Sequence, residues 1–497
     1  MRRLFAAALS LGALAAASGC GGGDGASGPL ESALSYVPEN APFVVAIDTD
    51  LEGDQYKSLQ AILDRFPGGV KIEDLLAGQL DGGDEGVTFA KDVKPLLGNP
   101  FVVSATDVTS FISDSDDDDF VAVLDADDSE ALDGLIDKTK PQEQGEVGGA
   151  TVYDDDGTVF AVKENTVVFA GSQRLLEAAL ERADAGDGMD VGRFEEGLEG
   201  LQEEALARVF FDVQALLEQD PDTEDACKVD WIRALRTFGL TASVEDDAAD
   251  VEFNLKAEGD LTDEDLPLAA GDEAPSVVRQ EGEVAFGIRD PSQIVTFFEG
   301  ALQAVEPQSF GDYETGKRAI SQRLGVDLDE DLFGQLTEDL SVSLSVNGSF
   351  AARAEVRSPE AFARTVDKVA RALPQFGSGL GVTDVRRRGD LYEARLANGG
   401  RFFFGMRNDA FVAASDAARA RRVGSAEPSS VDGAEGSLAI AGDAEQVALQ
   451  VIEQIGPRLG LTGLLGGGLF ARPLDELSGS VSSSTNGMRG RFSLTLD

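Results

Sequence analysis

An internal repeat is the feature that most limits what this chain can fold into. The segment Phe120–Lys138 aligns without gaps on Phe350–Lys368, and six of the 19 positions are identical. Each copy starts as a short strand and reaches a residue that favours a helix N-cap, Asp128 or Ser358. Apolar residues at helical spacing follow in both copies. The repeat therefore predicts two similar domains in one chain.

Three further pairs of segments keep the same order in the two halves. One pair reads as a first strand, one as a hairpin, and one as a closing hairpin with alternating apolar residues. In that order the pairs are Phe43–Ile47 with Val284–Ile288, Val159–Ser172 with Phe402–Ser415, and Leu240–Glu258 with Leu477–Asp497. Ser172 and Ser415 stand where an N-cap of the next helix is expected.

Hairpin-linked strands favour antiparallel pairing, and the helical patterns between them supply elements that cover a sheet. We predict an α+β fold of two tandem repeats, each a mainly antiparallel sheet with helices packed on one face. The first repeat is expected at residues 33–262, a linker at 263–280 and the second repeat at 281–497.

The second repeat is expected to open with a strand that leads into a helix. Asp290-Pro291 is typical of a helix start. The apolar residues that follow recur at helical spacing, which predicts that they face the core: Ile294, Val295, Phe297, Phe298 and Leu302.

The N-terminal segment has the pattern of a secretory leader that ends in a lipidation site. A short basic start precedes an apolar run over residues 4–17, which is short for a membrane-spanning helix. Ala17-Ser18-Gly19-Cys20 resembles the bacterial lipobox, in which the cysteine carries lipid. We expect residues 1–19 to be a signal peptide, Cys20 to be lipidated, and the glycine-rich residues 20–32 to be a tether. The expected location is the outer face of the bacterial cytoplasmic membrane or the cell envelope, with the lipid as anchor.

The amino-acid composition excludes several kinds of chemistry. The chain has no histidine, which excludes imidazole metal sites and Ser–His hydrolysis. With two cysteines it cannot build a thiolate zinc cluster. A net charge of -50 argues against a nucleic-acid partner, because Lys and Arg hold phosphates. No cofactor is predicted.

The negative charge is unevenly spread along the chain. Residues 21–300 hold 65 acidic and 18 basic residues, whereas residues 301–497 hold 26 acidic and 21 basic ones. Solubility in a salty medium is one explanation. The other is a cationic partner, or divalent cations, facing the first repeat.

Several motifs approach the pattern of an ion or phosphate site without completing it. The weak metal candidates are Asp116, Asp117, Asp118 and Asp119, and no dedicated metal site is predicted. The 48–54 segment resembles the opening of a calcium loop, but Leu59 stands where the bidentate Glu belongs. The 311–318 segment approaches a phosphate-binding loop but ends in Arg318, where Ser or Thr would hold magnesium.

The segment Leu459–Phe470 is apolar, uncharged and rich in glycine. A buried helix end and turn is the favoured interpretation, and contact with lipid is the alternative. For that alternative the contacting residues would be Leu461, Leu464, Leu465, Leu469 and Phe470.

The lipobox, the Ala33–Pro42 segment with the hydrophobic strand after it, and the Glu283–Pro291 segment together resemble one bacterial family. That family is known only as domain of unknown function number 3352. The resemblance covers most of the chain beyond the leader and implies an exported lipoprotein. Its motifs are structural, so it implies no catalytic residues.

These observations favour a non-enzymatic, lipid-anchored envelope protein that acts by binding or scaffolding. Two alternatives stay open. One is a carrier of lipid or another apolar molecule, through the Leu459–Phe470 segment. The other is a carboxylate-dependent hydrolase, since 91 acidic residues offer many pairs.

Overall fold

The protein is described by a computed structural model over residues 27–80, 86–106, 119–155, 158–245, 247–279, 282–345, 348–376, 381–446, 448–449 and 471–497. It divides into two compact units. The first comprises residues 1–221, 235–256 and 496–497, and the second comprises residues 222–234 and 257–495.

The first unit is built on an antiparallel sheet. Its strands are β1 (Phe43–Ile47), β2 (Phe101–Ala105), β3 (Phe120–Asp125), β4 (Gln142–Val147), β5 (Ala150–Asp155), β6 (Thr158–Lys163), β7 (Thr166–Ala170), β8 (Ala207–Asp212), β9 (Leu235–Glu245) and β10 (Ala248–Ala257). Their order across the sheet is β4-β5-β6-β7-β3-β2-β1-β8-β9-β10, and every neighbouring pair from β4 to β9 is antiparallel.

The helices of the first unit are α1 (Ser27–Leu34), α2 (Asp54–Arg65), α3 (Ile72–Leu80), α4 (Ser129–Thr139), α5 (Gln173–Ala185), α6 (Val191–Gly197) and α7 (Val213–Gln219). Side chains on α1, α5 and α6 pack with Val44 and its neighbours, whereas Leu216 of α7 packs with Phe43. Because successive strand residues point to opposite faces, helices cover both faces of this sheet. The prediction of helices on one face is wrong for this unit. The uninterrupted apolar sequence of β1 is the pattern of a strand buried on both sides.

The second unit is also built on antiparallel strands. They are β11 (Glu283–Ile288), β12 (Leu340–Ser345), β13 (Phe350–Glu355), β14 (Val382–Arg388), β15 (Leu391–Leu396), β16 (Arg401–Arg407), β17 (Ala410–Ala414), β18 (Leu438–Asp443), β19 (Leu474–Ser484) and β20 (Gly487–Leu496). Their order is β14-β15-β16-β17-β13-β12-β11-β18-β19-β20, antiparallel from β14 to β19.

The helices of the second unit are α8 (Asp230–Ala234), α9 (Ser292–Val305), α10 (Pro307–Leu324), α11 (Leu328–Asp331), α12 (Pro359–Ala372) and α13 (Ala417–Val423). Single helical turns over both units are Phe89–Val93, Lys94–Leu96, Pro221–Thr223, Ala226–Lys228, Asp263–Asp265, Phe333–Gln335 and Leu373–Phe376. The mixture of helix and antiparallel sheet predicted from the sequence is confirmed. None of the helices in the described ranges is long and apolar enough to cross a bilayer.

Four helix starts test the capping predictions. Ser172 caps α5 as predicted, accepting from the Leu175 amide at 3.4 Å, whereas Ser358 stands at the N-cap of α12 without a side-chain capping hydrogen bond. Asp128 caps α4 as predicted, because its side chain accepts a hydrogen bond from the Ala131 amide. Ser415 was predicted to cap α13, and this is wrong by one residue. Asp416 is the cap and accepts from the amides of Ala418 and Arg419, both at 2.8 Å.

The expected buried face of α9 is wrong for Ile294 and Phe298, which are exposed, whereas Val295, Phe297 and Leu302 are half-buried. The helix begins at Ser292, close to the predicted start, but no residue along it is buried. Ile294 is 39% exposed and Phe298 is 53% exposed. Helical periodicity identified the apolar side of α9 but could not show whether anything covers that side.

Candidate functional site

A cavity of about 390 Å³ opens in the second unit beside the first residue of β11. Its lining is mostly charged and comprises Arg279, Gly282, Glu283, Gly442, Asp443, Asp475 and Glu476. Gly282 has φ +74°, a conformation that favours glycine, so the chain can turn there into β11.

Strand pairing places the carboxylates of this cavity in one row. Glu283 lies opposite Ser345 on β12, and Asp443 lies opposite Glu476 on β19. Between these pairs, Val284 of β11 faces Gly442 of β18, so Glu283 stands beside Asp443. Like charges on directly opposed residues destabilise a sheet. This row of carboxylates therefore needs positively charged groups beside it to offset the repulsion.

Arginines balance the two ends of the row. Arg279 Nη2 lies 2.6 Å from Glu476 Oε1 in a half-exposed ion pair. Arg419 of α13 lies beneath the other end, with Nη1 2.7 Å from Glu283 Oε1. That contact has the distance of an ion pair but lacks the alignment of a hydrogen bond. Arg419 Nη2 donates to Ser345 Oγ at 2.7 Å.

The Glu283–Arg419 pair is buried. The Glu283 side chain is 5% exposed and that of Arg419 is 10% exposed. Removing two charges from water is costly, and a single charge left behind is costlier. The pair therefore ties α13, which packs against β13, β16 and β17, to the first residue of β11.

Asp443 and Asp475 form no ion pair among the described residues. Asp443 Oδ1 accepts a hydrogen bond from the Gln446 amide at 3.1 Å. No group of three or more potential metal-binding side chains occurs in the described ranges. Two carboxylates beside a cavity of this size match an organic cation better than a coordinated metal ion.

A second charged cluster lies on the hairpin of α9 and α10. Lys317 is buried, and its Nζ lies 2.8 Å from Glu299, 2.6 Å from Glu314 and 3.1 Å from Asp329. Burial lowers the pKa of the Lys317 amine, but these carboxylates outweigh it and raise that pKa above its ordinary value. Burial and the hydrogen bond donated to Glu299 raise the pKa of Tyr313 to about 12.

The phosphate-loop resemblance at 311–318 lies inside α10, so its backbone amides belong to a helix. Lys317, which would bind phosphate in such a loop, is instead held by three carboxylates. This geometry leaves no cradle for a nucleotide.

The calcium-loop resemblance at 48–54 forms a different local structure. Thr49 Oγ1 donates to Asn99 O at 2.6 Å and accepts from the Gly98 amide at 2.9 Å. Asp48 and Asp50 accept backbone amides two residues further on. These contacts hold the loop against 98–99 and do not gather its carboxylates around a common centre.

Asp48 carries the largest raised carboxyl pKa among the described residues. Burial raises the pKa of Asp48 to about 6, the Asp50 charge adds to it, and the Asp50 amide opposes it. An acid whose pKa is raised on folding stabilises the fold at low pH. That contribution is present below about pH 4 and is lost as pH rises through about 6.

We expect Asp48→Asn to be more stable than the wild type at pH 7.5 by about 1–3 kcal/mol, and the difference to vanish near pH 4. Asparagine can still accept the Asp50 amide. Urea unfolding of both proteins across this pH range measures the difference. Asp187→Asn, an exposed change of equal charge, is the control and should show no such trend. A difference for Asp48→Asn that is independent of pH would contradict the assignment.

Several predicted residues lie outside the described ranges. They are Cys20, Asp116, Asp117, Asp118, Leu461, Leu464, Leu465, Leu469 and Phe470. Of the acidic run, Asp119 is described and is half-buried just before β3. Cys227 is a half-buried free thiol in the turn Ala226–Lys228.

The sequence alone did not predict the cavity residues. No local pattern distinguishes Arg419, and Glu283 entered the prediction only as the start of the Glu283–Pro291 segment. The available signal was a charged residue at the end of each of two apolar strands, Glu283 and Asp443. Only the strand order brings those two ends together.

The fold and cavity define a two-unit protein of helices and antiparallel sheet with a charged cavity in its second unit. The chain belongs to the family described as "Protein of unknown function (DUF3352)", whose model matches residues 4–377. No curated protein matches the chain.

Among solved structures, the chain is similar to crystal forms III and I of TP0453, at 10% and 12% sequence identity. The form III match covers 46% of this chain and 81% of the other, and the form I match covers 46% and 79%. The TM-score is 0.27 in both cases, so the similarity carries no argument about fold or function.

Proposed function

We propose that this protein is exported, is held in the bacterial cell envelope by lipid on Cys20, and acts by binding instead of catalysis. The basic start, the apolar run and the small residues before Cys20 support the anchor. The glycine-rich residues after Cys20 suit a tether between lipid and folded protein.

A tandem repeat is the second part of the proposal. The strand orders of the two units correspond one for one, starting with β4 and β14 and ending with β10 and β20. The sequence pairs also fall on corresponding strands: Phe120 and Phe350 are the first residues of β3 and β13. A duplicated unit accounts for both agreements.

The observation that carries the binding role is the charged cavity of the second unit. Its ion-paired carboxylates, Glu283 and Glu476, already have arginine partners. Asp443 and Asp475 are left to meet a positively charged ligand. The ligand class that fits is a small organic cation with an ammonium or guanidinium group.

We expect 5 mM putrescine to raise the melting temperature of the second unit, and Asp443→Asn to remove most of this response. A ligand at 100 times its Kd stabilises by about 2.7 kcal/mol. Without ligand, Asp443→Asn should itself stabilise the protein by about 0.2–1 kcal/mol, because it relieves repulsion within the carboxylate row. Asparagine keeps the hydrogen bond from the Gln446 amide.

Differential scanning fluorimetry measures both effects. The ionic strength is held constant because salt by itself weakens the repulsion within the carboxylate row. Asp432→Asn removes an exposed charge from the same unit and is the matched control. The cation-binding role fails if putrescine, guanidinium and free arginine all leave the melting temperature unchanged. It also fails if Asp443→Asn and Asp432→Asn respond alike.

A hydrolase remains the less supported alternative. A carboxylate pair in hydrolysis must present oxygens to the substrate as acid and base. Arg279 and Arg419 already occupy oxygens of Glu476 and Glu283. The carrier alternative relied on Leu459–Phe470, which lies outside the described residues.

A further inference from the structure

The charged cavity of the second unit holds two more carboxylates than nearby arginines neutralise. Four carboxylates and one arginine line it, and a second arginine, on α13, pairs with one of those carboxylates. Glu283 and Glu476 are the paired carboxylates. Asp443 and Asp475, which form no ion pair among the described residues, carry the excess. The cavity therefore presents two uncompensated negative charges to a ligand.

The two ion pairs of the cavity differ in burial. The side chains of Glu283 and Arg419 are 5% and 10% exposed, so separating this pair would leave a charge buried. The side chains of Arg279 and Glu476 are 39% and 41% exposed, and a pair so open to water contributes little to stability. The fold therefore requires Arg419, whereas it does not require Arg279. The main effect of Arg279 is on the charge of the cavity.

The Arg279–Glu476 pair is nevertheless held in a defined place, because the backbone beside each partner is anchored. Val278 is buried, and its amide donates a hydrogen bond to Ser341 Oγ at 2.8 Å. Arg279 follows directly after this anchored residue and lines the cavity. On β19, the Glu476 amide donates to Thr495 Oγ1 at 3.2 Å. Arg279 is therefore positioned to neutralise Glu476 in the free protein.

Glu283 offers the cavity an oxygen that no described residue uses. Its contacts with Arg419 Nη1, at 2.7 Å, and with Ser345 Oγ, at 3.4 Å, both fall on Oε1. Oε2 accepts no hydrogen bond from the described residues, although the side chain is almost completely buried and lines the cavity. A largely buried carboxylate oxygen without a donor is unfavourable. A ligand with N–H donors would supply the missing hydrogen bond.

The charge of the cavity restricts its ligand more than its size does. A cavity of about 390 Å³ lies within the range of small-molecule sites and admits amines of several lengths. A single ammonium group would leave Asp443 or Asp475 uncompensated, whereas two groups would meet both carboxylates in charge-assisted hydrogen bonds. A third ammonium group would find no uncompensated carboxylate in the described lining. Two positive charges therefore match the cavity best.

We propose that the cavity binds a dication of the diamine class, and that Arg279 sets the charge of this ligand by neutralising Glu476. Arg279 is thus a specificity-determining residue that acts through a carboxylate and not through contact with the ligand. The inference rests on the proposed cation-binding role. It adds the number of positive charges that the ligand carries and the residue that selects this number.

The test compares butylamine, putrescine and spermidine, which carry one, two and three positive charges, by isothermal titration calorimetry at constant ionic strength. For the wild type we expect putrescine to bind about tenfold or more tightly than butylamine, and spermidine to gain no more than about threefold over putrescine. Arg279→Met frees Glu476, so spermidine should then bind about tenfold more tightly than putrescine. Arg386→Met is the matched control. It removes an exposed arginine that pairs with Asp384 at 2.6 Å on β14, and it should keep the wild-type pattern.

The proposal is overturned if butylamine and putrescine bind the wild type equally, or if Arg279→Met and Arg386→Met change the affinities alike. Affinity that rises evenly with each added charge in all three proteins would indicate diffuse attraction to an acidic surface and would also overturn it. These failures are distinct from failure of the proposed function. Equal binding of butylamine and putrescine that Asp443→Asn abolishes would uphold the cation site and reject the selection of a dication. Binding of none of the three amines to the wild type would reject both.

Discussion

Replacing Arg419 with methionine is expected to lower the free energy of unfolding by about 3–5 kcal/mol. The change leaves the Glu283 carboxylate buried, at 5% exposure, without its cation. It also removes the hydrogen bond from Arg419 Nη2 to Ser345 Oγ. Urea unfolding monitored by circular dichroism measures the loss.

Two further variants show whether the loss comes from the unpaired charge. Arg421→Met changes a half-exposed arginine two residues away on α13, whose nearest carboxylate oxygen, on Asp390, is 3.7 Å distant. The free energy of unfolding of Arg421→Met should differ from that of the wild type by no more than about 0.5 kcal/mol. Adding Glu283→Gln to Arg419→Met should recover much of the lost stability, because no buried charge is then left. A loss below about 1 kcal/mol for Arg419→Met would show that the pair is not buried as described.

Lys317→Met is expected to lower the free energy of unfolding by about 3 kcal/mol or more. The Lys317 side chain is 8% exposed and forms ion pairs with three carboxylates. Two of them, Glu299 and Glu314, are themselves largely buried. Methionine fills the space of the lysine stem but leaves these carboxylates repelling one another. The hairpin of α9 and α10 should therefore loosen first, which amide hydrogen exchange along 292–324 measures.

Arg318→Met is the control for this variant. It is the next residue of α10, is exposed, and bonds only to the Glu314 carbonyl among its described hydrogen bonds. We expect its exchange pattern to match that of the wild type. Equal protection in Lys317→Met and the wild type would mean that the cluster does not hold the two helices together.

Strand positions were predictable because short apolar runs and turn residues lie close together in the sequence. The bounds of β1 agree with the expected Phe43–Ile47. The turn at Asn408-Asp409 has both residues at positive φ, as a tight hairpin requires. Helix placement on the sheet was less predictable. Alternation shows that a strand residue is buried but not which helix covers it.

The candidate site depends on contacts that no local pattern contains. Glu283 and Arg419 are far apart in sequence and meet because β11, β12 and β13 are neighbours in the sheet and α13 packs against β13. Similarly, the sequence of α9 has an ordinary apolar periodicity, which does not predict the exposure of Phe298. Phe298 is exposed because no element among the described residues covers it. Periodicity records which side of a helix is apolar, and tertiary structure decides what meets that side.

The position of β1 in its sheet has a consequence for how the first unit folds. This strand pairs with β2 on one side and with β8 on the other, where Phe43 faces Phe211. Contacts between residues so distant in sequence carry a loop-closure cost and slow folding. Until Ala207–Asp212 has been synthesised, β1 keeps an open apolar edge that can pair with other chains. The first unit therefore depends on β8, which is synthesised much later than β1, to protect β1 from aggregation.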